Sequence, residues 1–306
     1  MLGHHPRKLG FPLRSGRGRG FFPKHRRHQG HPPTLAGLIM HTAQFNLDAD
    51  GAWIKASGTV PTSGNQLALV FWSDLDDQTV SRHARSLAAM LPDALVLGCS
   101  TGGVIHGRTV RDATICATLI TFEHTGLDFV RASREQFSND SRALGVFLAS
   151  KLDQDDLAHV LIFAPGLTGN GSRLAKGVAE ALPPGVTASG GLAADGERFE
   201  RTALLIGDQL VENEVVGVGL RGPALHVGLC KGGGWEPFGM ERAITASDGN
   251  RLMTIDGESA LGLYERYLGR HARDLPASGH LFPLALREPG ATDWVTRTIL
   301  GIDRDS

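Results

Sequence analysis

The sequence predicts an α/β protein with mixed parallel and antiparallel sheet layers, helices packed on them, and a smaller α+β domain at the C-terminal end. Three observations carry this. Residues 67–72 and 157–163 are short, uninterrupted apolar runs, the mark of strands buried on both faces. A segment of helical spacing lies beyond each run and is closed by proline, at Pro92 and at Pro183. Strand-like stretches joined by glycine turns come next, so hairpins accompany crossovers and a doubly wound fold is disfavoured.

The elements read in order as follows. After strand 67–72, Ser73 or Asp74 caps a helix to about Leu91. Residues 94–97 form the next strand, ended by Gly98. Residues 113–122 and 127–132 read as a hairpin turning at Gly126. Ser138 or Asn139 caps a second helix through about Leu152, before strand 157–163. Residues 166–171 are a loop and 172–182 a third helix. Strands are expected at 202–206, 215–220 and 225–230, with Gly207-Asp208 as a turn. Beyond Gly232-Gly233-Gly234 come short strands at 243–245 and 251–255. A helix at 259–268 follows, closed by Gly269 and carrying both tyrosines, Tyr264 and Tyr267. The order helix, short strand, small-residue loop, antiparallel strands occurs twice, which points to internal duplication.

Charge divides the chain. Residues 1–33 hold eight Lys/Arg, five His and no acid, whereas the remainder carries 23 Lys/Arg against 32 Asp/Glu. The overall net charge of -1 therefore averages a cationic tail and an acidic body. Residues 1–39 lack an apolar stripe and are expected to be disordered. They read either as translation from a misassigned start, with Met40 the natural one, or as an arginine-glycine arm. Nucleic acid would be bound only through that arm, because the acidic body offers no basic surface. The domains expected are 40–234 and 235–306. With no long apolar run and three scattered cysteines (Cys99, Cys116, Cys230), the chain is expected to be cytoplasmic, without disulfides. Its dispersed histidines form no metal pattern, and no cofactor is expected.

Three glycine-rich loops compete for the chemistry. Gly98-Cys99-Ser100-Thr101-Gly102 matches G-x-S-x-G, but that nucleophile elbow needs a helix directly after the serine. Here Val104-Ile105-His106-Gly107 follows, so a tight turn or a ligand-contacting loop competes with an acyl hydrolase using Ser100 or Cys99. Gly166-Leu167-Thr168-Gly169-Asn170 leads into a helix whose N-terminus favours anions, with neither Walker nor dinucleotide spacing. There Asn170 or Ser172 is a candidate cap, and Arg173 a counter-charge. Gly190-Gly191-Leu192-Ala193-Ala194-Asp195 carries one carboxylate, either solvent-facing or placed to receive an ammonium.

Together these loops resemble the FIST family, in the order Leu97–Gly103, Gly166–Asn170, Gly190–Asp195. The C-terminal half adds Gly234-Trp235-Glu236-Pro237-Phe238-Gly239, Thr245, Gly249-Asn250, Ile255-Asp256-Gly257, Ala260, Tyr264, Leu268-Gly269 and Phe282-Pro283-Leu284. The resemblance implies a small-ligand-binding sensory module for signal transduction. Amino acids are the expected ligands, a separate output protein is the expected partner, and no catalysis is implied. The candidate contacts are Ser100, Thr101, Gly102, Asn170, Ser172, Arg173 and Asp195. The resemblance also implies further strands after Ser306, so the second domain is expected to be truncated, with residues 299–302 forming an unpaired strand.

Overall fold

The computed structural model describes residues 8–13, 40–230 and 235–304, the first group as backbone. The chain divides into two compact units. One lies within His31–Leu229; the other takes β1 (Lys8–Leu13) together with the chain from Cys230 onward. These six residues belong to the segment 1–39 that was expected to be disordered; the rest of it lies outside the described residues. Leu9, Phe11 and Leu13 alternate in a way that suits a strand, inside a composition that suits none.

The first unit opens with β2 (Met40–Leu47) and β3 (Trp53–Gly58), a hairpin absent from the sequence reading. Then come β4 (Asn65–Ser73), α1 (Asp77–Met90) and β5 (Ala94–Ser100), a parallel crossover. A small hairpin follows, β6 (Val104–His106) and β7 (Thr109–Arg111). Next are β8 (Thr114–Phe122), β9 (Gly126–Ser133), α2 (Ser141–Lys151), β10 (Leu157–Ala164) and α3 (Gly171–Ala181). The unit ends with β11 (Thr187–Leu192), a second hairpin of β12 (Leu204–Ile206) and β13 (Gln209–Val211), and β14 (Glu214–Arg221).

Several local expectations change. Ser73 belongs to β4 and Asp74 has a positive φ, so Asp76 caps α1, accepting from the Thr79 N–H at 2.9 Å. Ser138 and Asn139 likewise have positive φ, and Asp140 caps α2. β8 and β9 are not a hairpin. Each already has strand partners in its own sheet, and the turn between them carries the chain from one sheet to the other. Residues 225–230 make no ladder.

The strands form a seven-stranded sheet, β13-β12-β5-β4-β8-β2-β3, and a four-stranded one, β11-β10-β14-β9. Four layers result. Val80, Ala84 and Leu87 of α1 pack with Val70, Val96 and Ile115 on the first sheet. Leu67, Leu97, Cys99 and Phe122 meet Phe163, Val216, Val218 and Leu220 between the sheets. Leu144 and Leu148 of α2 and Leu174 of α3 cover the second sheet. The central strands are apolar throughout because both of their faces are covered.

The duplication is a matter of topology. β5-β4-β8-β2 and β11-β10-β14-β9 have the same order and the same directions. In both halves a glycine lies against a central carbonyl. A Cβ on Gly98 would sit 1.8 Å from the Val70 oxygen, and one on Gly190 2.0 Å from that of Ile162. Three residues later the match continues, with Thr101 N–H on Trp72 O and Ala193 N–H on Ala164 O, both 2.8 Å.

The second unit holds β15 (Glu236–Asp248), β16 (Arg251–Ile255), β17 (Glu258–Ser259), α4 (Ala260–Leu268), β18 (Leu284–Arg287) and β19 (Val295–Arg297). Its sheet runs β17-β16-β15-β1-β18-β19, with β1 antiparallel to both neighbours. Ser259 caps α4, and Gly269 ends it at a φ of 56°. Ile255, Leu263, Tyr264, Leu268 and Leu284 make the core, and the Tyr264 hydroxyl donates to the Phe282 carbonyl at 2.7 Å. The strand expected at 299–302 does not form. Ile299 instead packs on this core, beside Gly279, and Arg251–Asp303 and Arg304–Glu265 ion pairs flank the segment.

Candidate functional site

The first and third glycine loops meet, at the C-terminal ends of β5 and β11. The Ser100 carbonyl accepts from the Ala194 N–H at 2.9 Å, and a Cβ on Gly102 would lie 3.5 Å from the Gly196 Cα. The Ser100 hydroxyl accepts from the Ala203 N–H at 3.1 Å. Thr101 Oγ1 lies within hydrogen-bond distance of the Trp72 and Gly103 carbonyls, at 3.2 and 3.0 Å. Gly102 is exposed, so main chain faces solvent there with no side chain in front.

Asp195 is buried rather than solvent-facing. Its Oδ2 accepts from the N–H groups of Glu200 and Arg201, at 2.7 and 2.9 Å. That fixes the turn of the connection 193–203. Its Oδ1 takes no hydrogen bond among the described residues. Two arginines strap the connection down. Arg198 pairs with Asp74, while Arg201 reaches both Asp77 and Glu212, two carboxylates that hold its pKa above the ordinary arginine value.

The second loop joins through its first glycine only. Gly166 N–H donates to the buried Thr202 hydroxyl at 3.1 Å, and a Cβ there would overlap the Ala193 carbonyl oxygen. Its later residues are engaged elsewhere. Asn170 caps α3 by accepting from the Arg173 N–H at 3.0 Å, and its own N–H donates to Ser141 Oγ. Arg173 pairs with Asp140 at 3.1 Å, and the Arg142 and Ala143 N–H groups of α2, with a smaller contribution from Arg173, pull that carboxyl below its usual range. Ser172 is exposed. Thus the fold gathers Ser100, Thr101, Gly102 and Asp195, and sets Asn170, Ser172 and Arg173 at the α2–α3 junction.

Sequence reasoning missed Thr202, Arg201 and Arg198. Their only signal was a charged run, Glu197-Arg198-Phe199-Glu200-Arg201, directly after the third loop. Arg134 was missed as well; its guanidinium lies behind the second loop, 3.1 Å from where a Cβ on Gly169 would sit.

For the hydrolase reading, Ser100 and Cys99 need a base. The Ser100 hydroxyl is held by a backbone N–H, and no histidine bonds to it among the described residues. Burial pushes the Cys99 thiol up to about 12, away from the thiolate a nucleophile needs. His159 is buried on β10 with Nδ1 2.7 Å from Thr187 Oγ1 and Nε2 2.8 Å from Ser189 Oγ. Among the described residues no three of His, Cys, Asp or Glu cluster as a metal site, all three cysteines are free thiols, and no helix is long and apolar enough to cross a membrane. An open polar groove beside α1, lined by Asp77, Ser81, Arg85 and the β12–β13 turn, does not include the loop residues.

No curated protein and no solved structure gives a match. Residues 66–258 match the family model of the FIST N domain, which takes in all three glycine loops and more than half of the chain. That span, loops included, places the chain in the FIST family of sensory, signal-transduction domains.

Proposed function

We propose that the protein is a small-ligand sensor that takes an amino acid at the junction of the first and third loops and passes the signal to a separate output protein. The supporting observation is the meeting of the Ser100–Gly102 backbone with the segment Ala194–Gly196, which carries Asp195, at the C-terminal ends of parallel strands, a usual place for ligands in α/β sheets. An amino acid needs one end that receives a carboxylate and one that receives an ammonium. Exposed main chain at Gly102, beside Thr101, serves the first; Asp195 Oδ1 serves the second. Asn170, Ser172 and Arg173 stand apart from this junction, with Arg173 already paired to Asp140. A binding reading is preferred to hydrolysis because, among the described residues, no histidine bonds to Ser100 and burial holds Cys99 as the thiol. We assign the protein to a reducing compartment, in keeping with its three free thiols.

Thermal-shift and calorimetric titration with each of the twenty amino acids tests this. At a hundredfold excess over Kd, a true ligand stabilises the fold by about 2.7 kcal/mol. Asp195→Asn keeps an oxygen for the Glu200 and Arg201 N–H groups but loses the charge, so it should fold and bind weakly. No response to any amino acid removes the amino-acid reading.

A further inference from the structure

The two halves of the first unit carry the same hairpin in the same place. β6–β7 and β12–β13 each have the pattern three strand residues, a Gly-led two-residue turn, three strand residues. Gly107 and Gly207 both have left-handed φ, 58° and 63°. Ile105 therefore corresponds to Leu205, and Val110 to Leu210, each a directly paired couple across its hairpin.

Their environments are opposite. β12 adds to the edge of β5, pairing Leu204, Leu205 and Ile206 with Cys99, Gly98 and Leu97. Leu205 is 0% exposed there, and Leu210 packs against the α1 side of the sheet. Ile105 and Val110 are 71% and 70% exposed. The edge corresponding to β5 is β11, which ends its sheet with no strand beyond it among the described residues. β11 is Thr-Ala-Ser-Gly-Gly-Leu, without a charge or a proline to discourage pairing, and its Leu192 is 47% exposed.

The hairpin is kept from this edge within its own chain by its short leader. Eleven residues, 193–203, carry β12–β13 across from β11 to β5, but only three, 101–103, lead from β5 to β6. Thr101 is bonded to Trp72 on β4, which leaves two residues. At about 3.5 Å per step the chain from Thr101 to Val104 reaches about 10.5 Å, enough for the sheet spacing of about 10 Å alone but not for the further lateral strand spacing of about 4.8 Å that would set β6 beyond β11.

We propose that β6–β7 adds to the β11 edge of a second copy of this chain, and reciprocally, closing a two-fold dimer. The internal copy supplies the register. Because Gly190 corresponds to Gly98, Ile105 falls opposite Gly190, with Val104 opposite Gly191 and His106 opposite Ser189. The two reciprocal contacts, each hairpin on the other copy's β11 edge, are equivalent under a two-fold axis, as an isologous interface requires. It is independent of which ligand the loops bind.

The full chain is examined by sedimentation over a range of concentrations, with hydrogen exchange of the β11 amides measured in parallel. A dimer is expected, with β11 protection that rises with dimer fraction. The double variant Ile105→Lys/Val110→Lys alters exposed residues and should keep the wild-type melting temperature at low concentration. Losing two apolar side chains from an interface should weaken dimerisation roughly a hundredfold and abolish the protection. A chain that stays monomeric at high concentration overturns the proposal. So does a dimer that tolerates the double variant, or β11 protection independent of concentration, which would place the hairpin on its own edge.

Discussion

At Gly98 and Gly190 a single hydrogen atom decides whether parallel strands can approach. A Cβ at either position would overlap a backbone oxygen, which cannot rotate aside as a side chain can. Gly98→Ala should therefore cost about 3 kcal/mol or more, seen as a large fall in melting temperature. Gly191→Ala, one residue along, has open space around it and should be nearly neutral. His159 gives a second prediction at this scale. Burial lowers its pKa below the ordinary 6.5, so the unfolded chain binds the proton more readily. Stability from this group is complete above about pH 6.5 and declines as the pH falls from there toward the lowered native value. His83 is shifted the same way, by burial and then by Arg82. A His159→Asn variant should show a shallower loss of melting temperature on acidification than the parent, and equal slopes would contradict this account. The hydroxyl partners of His159 come from β11, nearly thirty residues away, and no local pattern announces them.

At the scale of elements, the connection 193–203 governs the site. Asp195 ties down two N–H groups from inside it, so Asp195→Ala should cost about 1–3 kcal/mol through stranded donors, while Asp195→Asn costs less. Arg201→Ala removes surface ion pairs with half-exposed partners, worth at most about 1 kcal/mol after solvent screening. Its sharper effect should be faster proteolysis between Asp195 and Thr202, with little change in overall melting. Helices and buried strands were legible because their patterns are local: Asn170 before α3, Ser259 before α4, apolar runs for β4 and β10. The caps of α1 and α2 were misplaced by one to three residues, since neighbouring Ser, Asp and Asn are equivalent until backbone φ separates them. The β8–β9 pairing was misread for another reason. A strand at a glycine turn looks alike whether it folds back or passes to the next sheet.

At the scale of the molecule, two compact units predict two unfolding events. The second unit's core is a single cluster around Tyr264 and Ile255, smaller than the layered cores of the first. Calorimetry should therefore resolve a lower transition, and limited proteolysis should cut within residues 235–304 before 40–229. Cleavage in the reverse order would contradict this. An added ligand should raise only the upper transition, because the loop junction lies in the first unit.

The sequence alone determined the α/β class, the repeated order of elements and the loops worth watching. All of these follow from side-chain periodicity and from glycine and proline, which act within a few residues. Tertiary structure decided which loops meet, that Asp195 is buried, that Leu205 of the second hairpin is covered while Ile105 and Val110 of the first are exposed, and that Lys8–Leu13 joins a sheet with strands more than two hundred residues away. Strand pairing is the reason. Backbone hydrogen bonds are the same for every residue but proline, so the partner of an edge is chosen by where the chain can reach, and reach is a property of the fold.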